Sequence, residues 1–124
     1  MPWTVVIDDA ARRVVATGDG EFRADDTIEV LARCRESGAL AYGLLFDGRR
    51  MIGAPTVADV RPISAVATPT PDRAVGPMAI VVTSASLYRT ACAYAALARS
   101  RGSLVEVFRE LGAADEWLAH VMAK

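Results

Sequence analysis

The sequence predicts an α/β fold with a mixed, mostly parallel sheet and the element order β-β-α-β-α-β-α-β-α. Three apolar segments in the middle and later parts of the chain each precede an amphipathic segment, which is the pattern of strand–helix units in a parallel sheet. Two short β-branched segments at the start are joined by three residues, which predicts an antiparallel hairpin at one edge. The 124 residues, 52% of them apolar, suffice for a single domain over residues 1–124.

The five predicted strands are β-branched or continuously apolar segments. The first two form the hairpin. The third is continuously apolar, as a strand buried on both faces of a parallel sheet is, and the fourth is the next buried strand. Gly18-Asp19-Gly20 allows a bulge or a turn that interrupts or ends the second strand. The predicted strands cover residues 3–8, 12–17, 41–46, 78–82 and 104–108.

Four amphipathic segments alternate with these strands. The first three begin at residues that cap helix N-termini, and Pro62 inside the second makes that helix either short or kinked. Right-handed crossovers place the helices mainly on one side of the sheet. The predicted helices start at Asp25 or Asp26, after Pro55-Thr56, after Ser84 or Ser86, and at Ala113, and residues 68–72 form a loop.

The other side of the sheet then needs a cover, which the hairpin or a partner chain can supply. The hairpin residues Val5, Ile7 and Val14 and the neighbouring Trp3 are apolar enough for either arrangement. We therefore expect a homodimer.

Composition excludes several classes of function. Lys and Arg number 14 against 15 Asp and Glu, so the net charge of −1 gives no basic excess for nucleic acid or an anionic membrane. No apolar segment approaches the length of a membrane span, and the N-terminus lacks the pattern of a signal peptide. Cys34 and Cys92 lack metal or CxxC spacing and indicate reduced packing residues. We expect a cytoplasmic protein without integral membrane insertion and without a nucleic-acid partner.

Residues 41–59 contain the main candidate site. The apolar segment Leu44-Leu45-Phe46 ends on Asp47, and a new helix begins shortly afterwards. The carboxyl ends of parallel strands meet at one edge of the sheet, where ligands usually bind, and the hydroxyls after the next strand lie at that same edge. The candidate edge for a small anion or a partner consists of Asp47, Gly48, Arg49, Arg50, Thr83, Ser84 and Ser86, with Arg89 nearby.

Each of these residues also has a simpler interpretation. Asp47 is a ligand contact, a partner of the following arginines, or a cap of a turn at Gly48, and the turn is favoured. The serines are ordinary helix caps in the simplest case. His120, the single histidine, lies on the outer side of the last helix with no second histidine and no cysteine nearby in sequence, so neither a metal site nor a catalytic triad nor a cofactor is expected.

Three segments carry a resemblance to a known family. They are LLFDG at the end of the third strand, MAIVVTSASLYRTACAYAALA, and VEVFRELGAADEWLA. Together they resemble the STAS-like superfamily, whose prototype is the bacterial anti-sigma-factor antagonist, and more closely its small stand-alone STAS/SEC14-like bacterial members. The resemblance covers essentially the whole chain and implies a protein partner.

The resemblance also implies a candidate phospho-acceptor, Thr56. In the antagonists a serine or threonine nine positions after the acidic strand end is phosphorylated by a partner kinase, and Thr56 lies nine positions after Asp47. This chain has Pro55 and Val57 where the antagonists usually have Asp and Ser. Thr56 with Asp59 also fits a capping box, which explains the threonine without a signalling role and is the favoured interpretation.

The leading hypothesis is a non-enzymatic regulatory or protein-interaction module. The alternative is a small-ligand or lipid-binding carrier, by analogy with the SEC14-like branch, with a pocket along the strand ends. An enzyme is the least favoured class, because no nucleophile–base pair is visible.

Overall fold

The computed structural model describes residues 2–124 and confirms the predicted α/β fold and element order. Five strands form one sheet in chain order; β1 is antiparallel to β2, and the remaining neighbours are parallel. The strands are β1 (Trp3–Asp8), β2 (Arg13–Glu21), β3 (Gly43–Ile52), β4 (Met78–Val81) and β5 (Val105–Phe108). The helices are α1 (Ala24–Glu36), α2 (Val57–Ala67), α3 (Ala85–Ser100) and α4 (Leu111–Met122).

The consecutive strand order determines where the helices lie. Each crossover from β2 to β5 moves one strand along the sheet in the same direction, so right-handed connections place α1, α2 and α3 on one face. In agreement, α1 contacts α2 and α2 contacts α3. The last helix, α4, packs against β3, β4 and β5 on the opposite face. The predicted need for the hairpin or a partner to cover that face is therefore wrong over these three strands.

The larger hydrophobic core lies between the sheet and α1–α3. The Trp3 and Phe46 rings meet edge to face, with centroids 5.4 Å apart, and Trp3 Nε1 donates a hydrogen bond to Thr27 Oγ1 at 3.2 Å. These contacts fix the edge strand β1 to α1. A smaller core forms under α4, where Leu118 packs against the sheet and contributes roughly 1.5–3 kcal/mol by its burial.

Strand β3 is longer than the apolar pattern predicts. It continues past Phe46 to Ile52, because β2 pairs with it beyond the point at which β4 ends. Between Thr17 and Asp19 of β2 the register shifts, and the matching stretch of β3 contains one extra residue, which is a β-bulge. Arg49 and Arg50 of this extension are exposed, so the extension does not show the continuous apolar pattern of a buried strand.

Two predicted helix starts also need correction. Strand β2 runs to Glu21, and α1 begins at Ala24 with Arg23 as its N-cap, which makes no side-chain capping bond. Asp25 and Asp26 lie in the first turn instead, where they stabilise the positive end of the helix dipole. Helix α4 begins two residues before the predicted Ala113.

Helix α2 runs through Pro62 as a single helix of 11 residues. The Ser64 hydroxyl donates a hydrogen bond to the Arg61 carbonyl at 2.9 Å, next to the proline. None of the four helices in the described residues is both long and apolar enough to cross a membrane.

Candidate functional site

Asp47 lies inside β3 at the level where β4 ends, since its register partner is Val81, the last residue of β4. Its side chain shares a sheet face with Val81, on the α4 side. The residue is 7% exposed. The structure therefore places the acid at the end of the pairing between β3 and β4, as expected, but within a strand that continues beside β2.

The partner of Asp47 is Arg49. Arg49 Nε donates to one carboxylate oxygen and Nη2 to the other, each at 2.9 Å, and the Arg49 backbone N–H adds a third bond at 3.2 Å. The side-chain hydrogen bonds from Arg49 hold the pKa of Asp47 below its usual value. The carboxylate is therefore charged at neutral pH, and both of its oxygens are occupied, which suits a structural role better than proton transfer.

The predicted turn at Gly48 is wrong, because Gly48 is a strand residue. A Cβ on Gly48 would lie 3.1 Å from Val82 Cγ1 and 3.3 Å from the Val81 carbonyl oxygen, so the glycine allows a close approach to β4. Arg50 turns away from this cluster, and its nearest acid is Asp19, at 3.6 Å between two largely exposed side chains. An exposed pair of this kind contributes little stability.

The hydroxyl residues after β4 divide into two roles. Thr83 Oγ1 donates to the Arg49 carbonyl at 3.1 Å, so the structure does bring Thr83 to the Asp47–Arg49 pair. Ser84 is the N-cap of α3 and accepts a bond from the Leu87 backbone N–H at 3.5 Å, which confirms the simpler interpretation. Ser86 lies half-buried in the first turn of α3.

Thr56 caps α2, as the sequence pattern predicts. Its hydroxyl accepts a bond from the Asp59 backbone N–H at 3.3 Å, and its own N–H donates to Asp59 Oδ2 at 2.7 Å, so the capping box is complete. The threonine is exposed. The preceding residue, Pro55, accepts a bond from Thr90 Oγ1 at 2.6 Å, which ties the start of α2 to α3. Phosphorylation of Thr56 stays a prediction.

An apolar cavity of about 70 Å³ lies between the sheet and helices α1–α3. Its walls are core side chains from both layers, and its lining residues within 2–124 include no carboxylate, imidazole, thiol or cationic group. Sequence reasoning missed this cavity, because its residues belong to many separate elements and each one reads as ordinary core. Representative lining residues are Leu31, Phe46, Ile63, Met78, Leu87 and Ala91.

A polar groove adjoins the cavity at the surface. The groove is formed by the connections from β2 to α1 and from β3 to α2, and it carries acidic and basic side chains such as Arg23 and Asp59. Phe22 and Pro55 line both the groove and the cavity. These two residues therefore lie between the groove and the cavity.

Three polar side chains line the apolar cavity. Thr27 bonds to Trp3, and Thr90 bonds to the Pro55 carbonyl, so both hydroxyls are satisfied within the protein. Tyr94 of α3 is 5% exposed, and burial raises the pKa of its hydroxyl to about 12. The Tyr94 hydroxyl forms no hydrogen bond with residues 2–124, and its oxygen is not among the fully enclosed polar atoms, so it is free to bond to water or a ligand.

The remaining reactive side chains lie apart from both sites. His120 is exposed near the end of α4, as predicted, and the described residues contain no cluster of three His, Cys, Asp or Glu that could hold a metal. Burial raises the pKa of the Cys34 thiol, which keeps it unreactive. Arg89 is exposed on α3, and Arg109 stacks on the Tyr88 ring at 4.0 Å.

Comparison of the sequence with protein-family models, and of the chain with curated proteins and solved structures, finds no match. The resemblance to the STAS-like superfamily therefore stays a prediction.

Proposed function

We propose that this chain is a non-enzymatic binding protein that holds a small apolar molecule in the cavity between the sheet and α1–α3. The observation that carries the proposal is the cavity itself. Protein interiors are close-packed and contain few voids larger than a water molecule. One water molecule needs about 10–15 Å³ of cavity volume, so this cavity has room for roughly five to seven water molecules.

The volume limits the size of the ligand. Five waters at about 30 Å³ each correspond to roughly 150 Å³ of liquid, which is the space of a single-ring molecule. A lipid with long acyl chains is too large, which narrows the carrier hypothesis to small ligands. For about eight non-hydrogen atoms we expect dissociation constants between roughly 10 μM and 1 mM.

The electrostatics of the cavity support binding rather than catalysis. Its lining in the described residues offers no acid–base pair and no nucleophile. The nearest functional candidate in the sequence, Asp47, is paired with Arg49 on the other side of the sheet. A neutral apolar ligand needs neither charge, and burial of its surface supplies the binding energy.

The test is an NMR titration of the protein with α-methylstyrene, a neutral single-ring hydrocarbon. We expect saturable chemical-shift changes at cavity residues such as Leu31. Ala91→Leu fills the cavity from α3 and should abolish them. The matched control is Ala96→Leu, an exposed position on the same helix, which should bind as the wild type does. Absence of binding in the wild type, or equal binding by Ala91→Leu, would refute the proposal.

A second candidate is the STAS-like protein-interaction module, favoured by the surface at the start of α2. Thr56 is exposed there, and the neighbouring apolar residues Val57 and Ile52 are 37% and 65% exposed. A phosphate on Thr56 would place negative charge beside Asp59 and disrupt the capping box, which would alter a docking surface. Intact-mass analysis after incubation with the organism's serine/threonine kinases, with Thr56→Val as the control, tests this candidate. Modification at another residue, or no modification, would remove it.

The predicted homodimer and the cytoplasmic location belong to the same candidate. On its face of the sheet, α4 covers β3, β4 and β5 and leaves β1 open. Val6 of β1 lies on this open part and is 61% exposed, which supports a contact with a second copy. Both cysteines are free thiols, which supports a reducing compartment. Sedimentation velocity of the wild type and Val6→Lys tests the dimer; a wild-type monomer at all concentrations would exclude it.

A further inference from the structure

We propose that the ligand of this cavity carries one neutral hydrogen-bond acceptor, and that the Tyr94 hydroxyl donates a hydrogen bond to it. This inference rests on the ligand-binding function proposed above and specifies the chemical class of the ligand.

The geometry of Tyr94 is the first step. The residue lies on α3, lines the cavity and is 5% exposed. Its hydroxyl forms no hydrogen bond with residues 2–124, and its oxygen is not among the fully enclosed polar atoms. The hydroxyl is therefore free to donate to an acceptor atom on a molecule bound in the cavity.

The other polar side chains of the cavity are the second step. Thr27 accepts from Trp3 Nε1 at 3.2 Å, and Thr90 donates to the Pro55 carbonyl at 2.6 Å. The Thr27 bond joins α1 to β1, and the Thr90 bond joins α3 to Pro55 ahead of α2, so both hydroxyls are already engaged within the fold. Of the three polar side chains that line the cavity in the described residues, Tyr94 is the one left to bind a ligand.

The protonation state of Tyr94 is the third step. Burial raises its pKa to about 12, so the hydroxyl stays protonated and remains a donor across the physiological range. A ligand with a carboxylate or phosphate is excluded, because the lining carries no cation to compensate a buried anion. The ligand class is therefore a small neutral carbonyl compound or ether with one ring or a short chain.

The experiment compares two probes of nearly equal shape. Acetophenone carries a carbonyl oxygen where α-methylstyrene carries a methylene group. Both are titrated by NMR into the wild type, into Tyr94→Phe, and into Tyr88→Phe as a control on the same helix. We expect Tyr94→Phe to weaken acetophenone binding by about 2- to 10-fold, as loss of one hydrogen bond does, and to leave α-methylstyrene unchanged. Tyr88→Phe should bind both probes as the wild type does.

A measurement on the wild type makes the test independent of the variant's folding. With ¹³C-labelled tyrosine, the Tyr94 ring carbon that bears the hydroxyl should shift with acetophenone and much less with α-methylstyrene. Suppose that both probes bind, that acetophenone does not shift this signal, and that Tyr94→Phe binds acetophenone as tightly as the wild type does. The role of Tyr94 is then refuted and the ligand-binding function stands. If neither probe binds the wild type, both proposals are refuted.

Discussion

Asp47 and Arg49 form a two-pronged ion pair within a single strand, with 2.9 Å from each of two guanidinium nitrogens to a different carboxylate oxygen. Residues two apart in a strand share a face, and the bulge that follows Asp47 in β3 changes the local direction of the backbone. The pair satisfies a carboxylate that would otherwise be buried alone. The Thr83 hydroxyl, bonded to the Arg49 carbonyl, joins this strand to the connection that leads into α3.

Removal of Arg49 should therefore be costly. We expect Arg49→Met to lower the free energy of unfolding by about 1–3 kcal/mol at pH 7, because the Asp47 carboxylate loses its partner. Arg49→Lys should be more stable than Arg49→Met but less stable than the wild type, since an ammonium cannot form the two-pronged contact. The control is Arg50→Met, which should change stability by less than about 0.5 kcal/mol. Urea denaturation measures the stability of all three variants. An equal loss of stability in Arg49→Met and Arg50→Met would contradict the ion pair between Asp47 and Arg49.

The pH dependence of stability follows from the same pair. The pKa of Asp47 is lowered in the folded state from its usual 3.8, so in acid the unfolded chain binds the proton first. The contribution of Asp47 is then fully present above about pH 5 and is lost as the pH falls through the folded-state value. Asp47→Asn should be less stable than the wild type at pH 7, and the difference should shrink towards pH 2. A difference that stays constant from pH 7 to pH 2 would be inconsistent with this ion pair.

The capping box at α2 has a measurable strength. Thr56→Ala should lower the free energy of unfolding by about 1 kcal/mol, because the Asp59 N–H loses its acceptor at the helix start. Thr56→Ser keeps the hydroxyl and serves as the matched control, with an expected loss below about 0.5 kcal/mol. Guanidinium denaturation gives both values. If Thr56→Ala leaves the free energy of unfolding unchanged, the capping box does not form in solution.

Tyr94 makes a prediction about the protein without ligand. Because the Tyr94 hydroxyl bonds to no group in residues 2–124, its removal breaks no protein hydrogen bond, so Tyr94→Phe should leave the unliganded protein as stable as the wild type or more stable, by up to about 1 kcal/mol. Calorimetry of ligand-free samples measures the difference. A loss of stability beyond about 1 kcal/mol would show that the hydroxyl is already satisfied.

Two glycines should respond in opposite ways to alanine. A Cβ on Gly76 would overlap the Tyr42 carbonyl oxygen, so Gly76→Ala forces two backbone segments apart and should cost about 3 kcal/mol or more. A Cβ on Gly112, in the first turn of α4, meets nothing within 4 Å, and Gly112→Ala should stabilise the protein by up to about 1 kcal/mol. Thermal denaturation compares them, and a tolerated Gly76→Ala would contradict the close approach.

Local patterns in the sequence predicted those parts of the fold that local interactions determine. The apolar segment of β4 reflects burial on both faces, and the Thr56–Asp59 box depends on residues three apart. The order of elements follows from such signals. By contrast, the end of β3 depends on pairing with β2, about 30 residues earlier, and its solvent-facing arginines give no apolar pattern.

The candidate site was harder to predict for a related reason. The sequence indicated the Asp47 edge correctly as a meeting point of β3 and the Thr83 segment, but the bulge that brings Arg49 onto the carboxylate is a property of the β2–β3 register. The cavity has no local signature, because a void is defined by how well distant side chains fill a shared volume. In the sequence pattern, Tyr94 is one of several residues on the apolar side of α3, and nothing distinguishes it from ordinary core.

The position of α4 has a consequence for the order in which the molecule opens. In the described residues this helix follows β5 and is not paired with any strand of the sheet; it is held there by the packing of Leu118 and Ala114 and by the ion pair between Asp115 and Arg13. Its undocking would break no strand pairing, so it can occur as a separate event below the free energy of global unfolding. Amide hydrogens of α4 should then exchange with solvent before those of β4, while the layer of α1, α2 and α3 stays closed over its cavity.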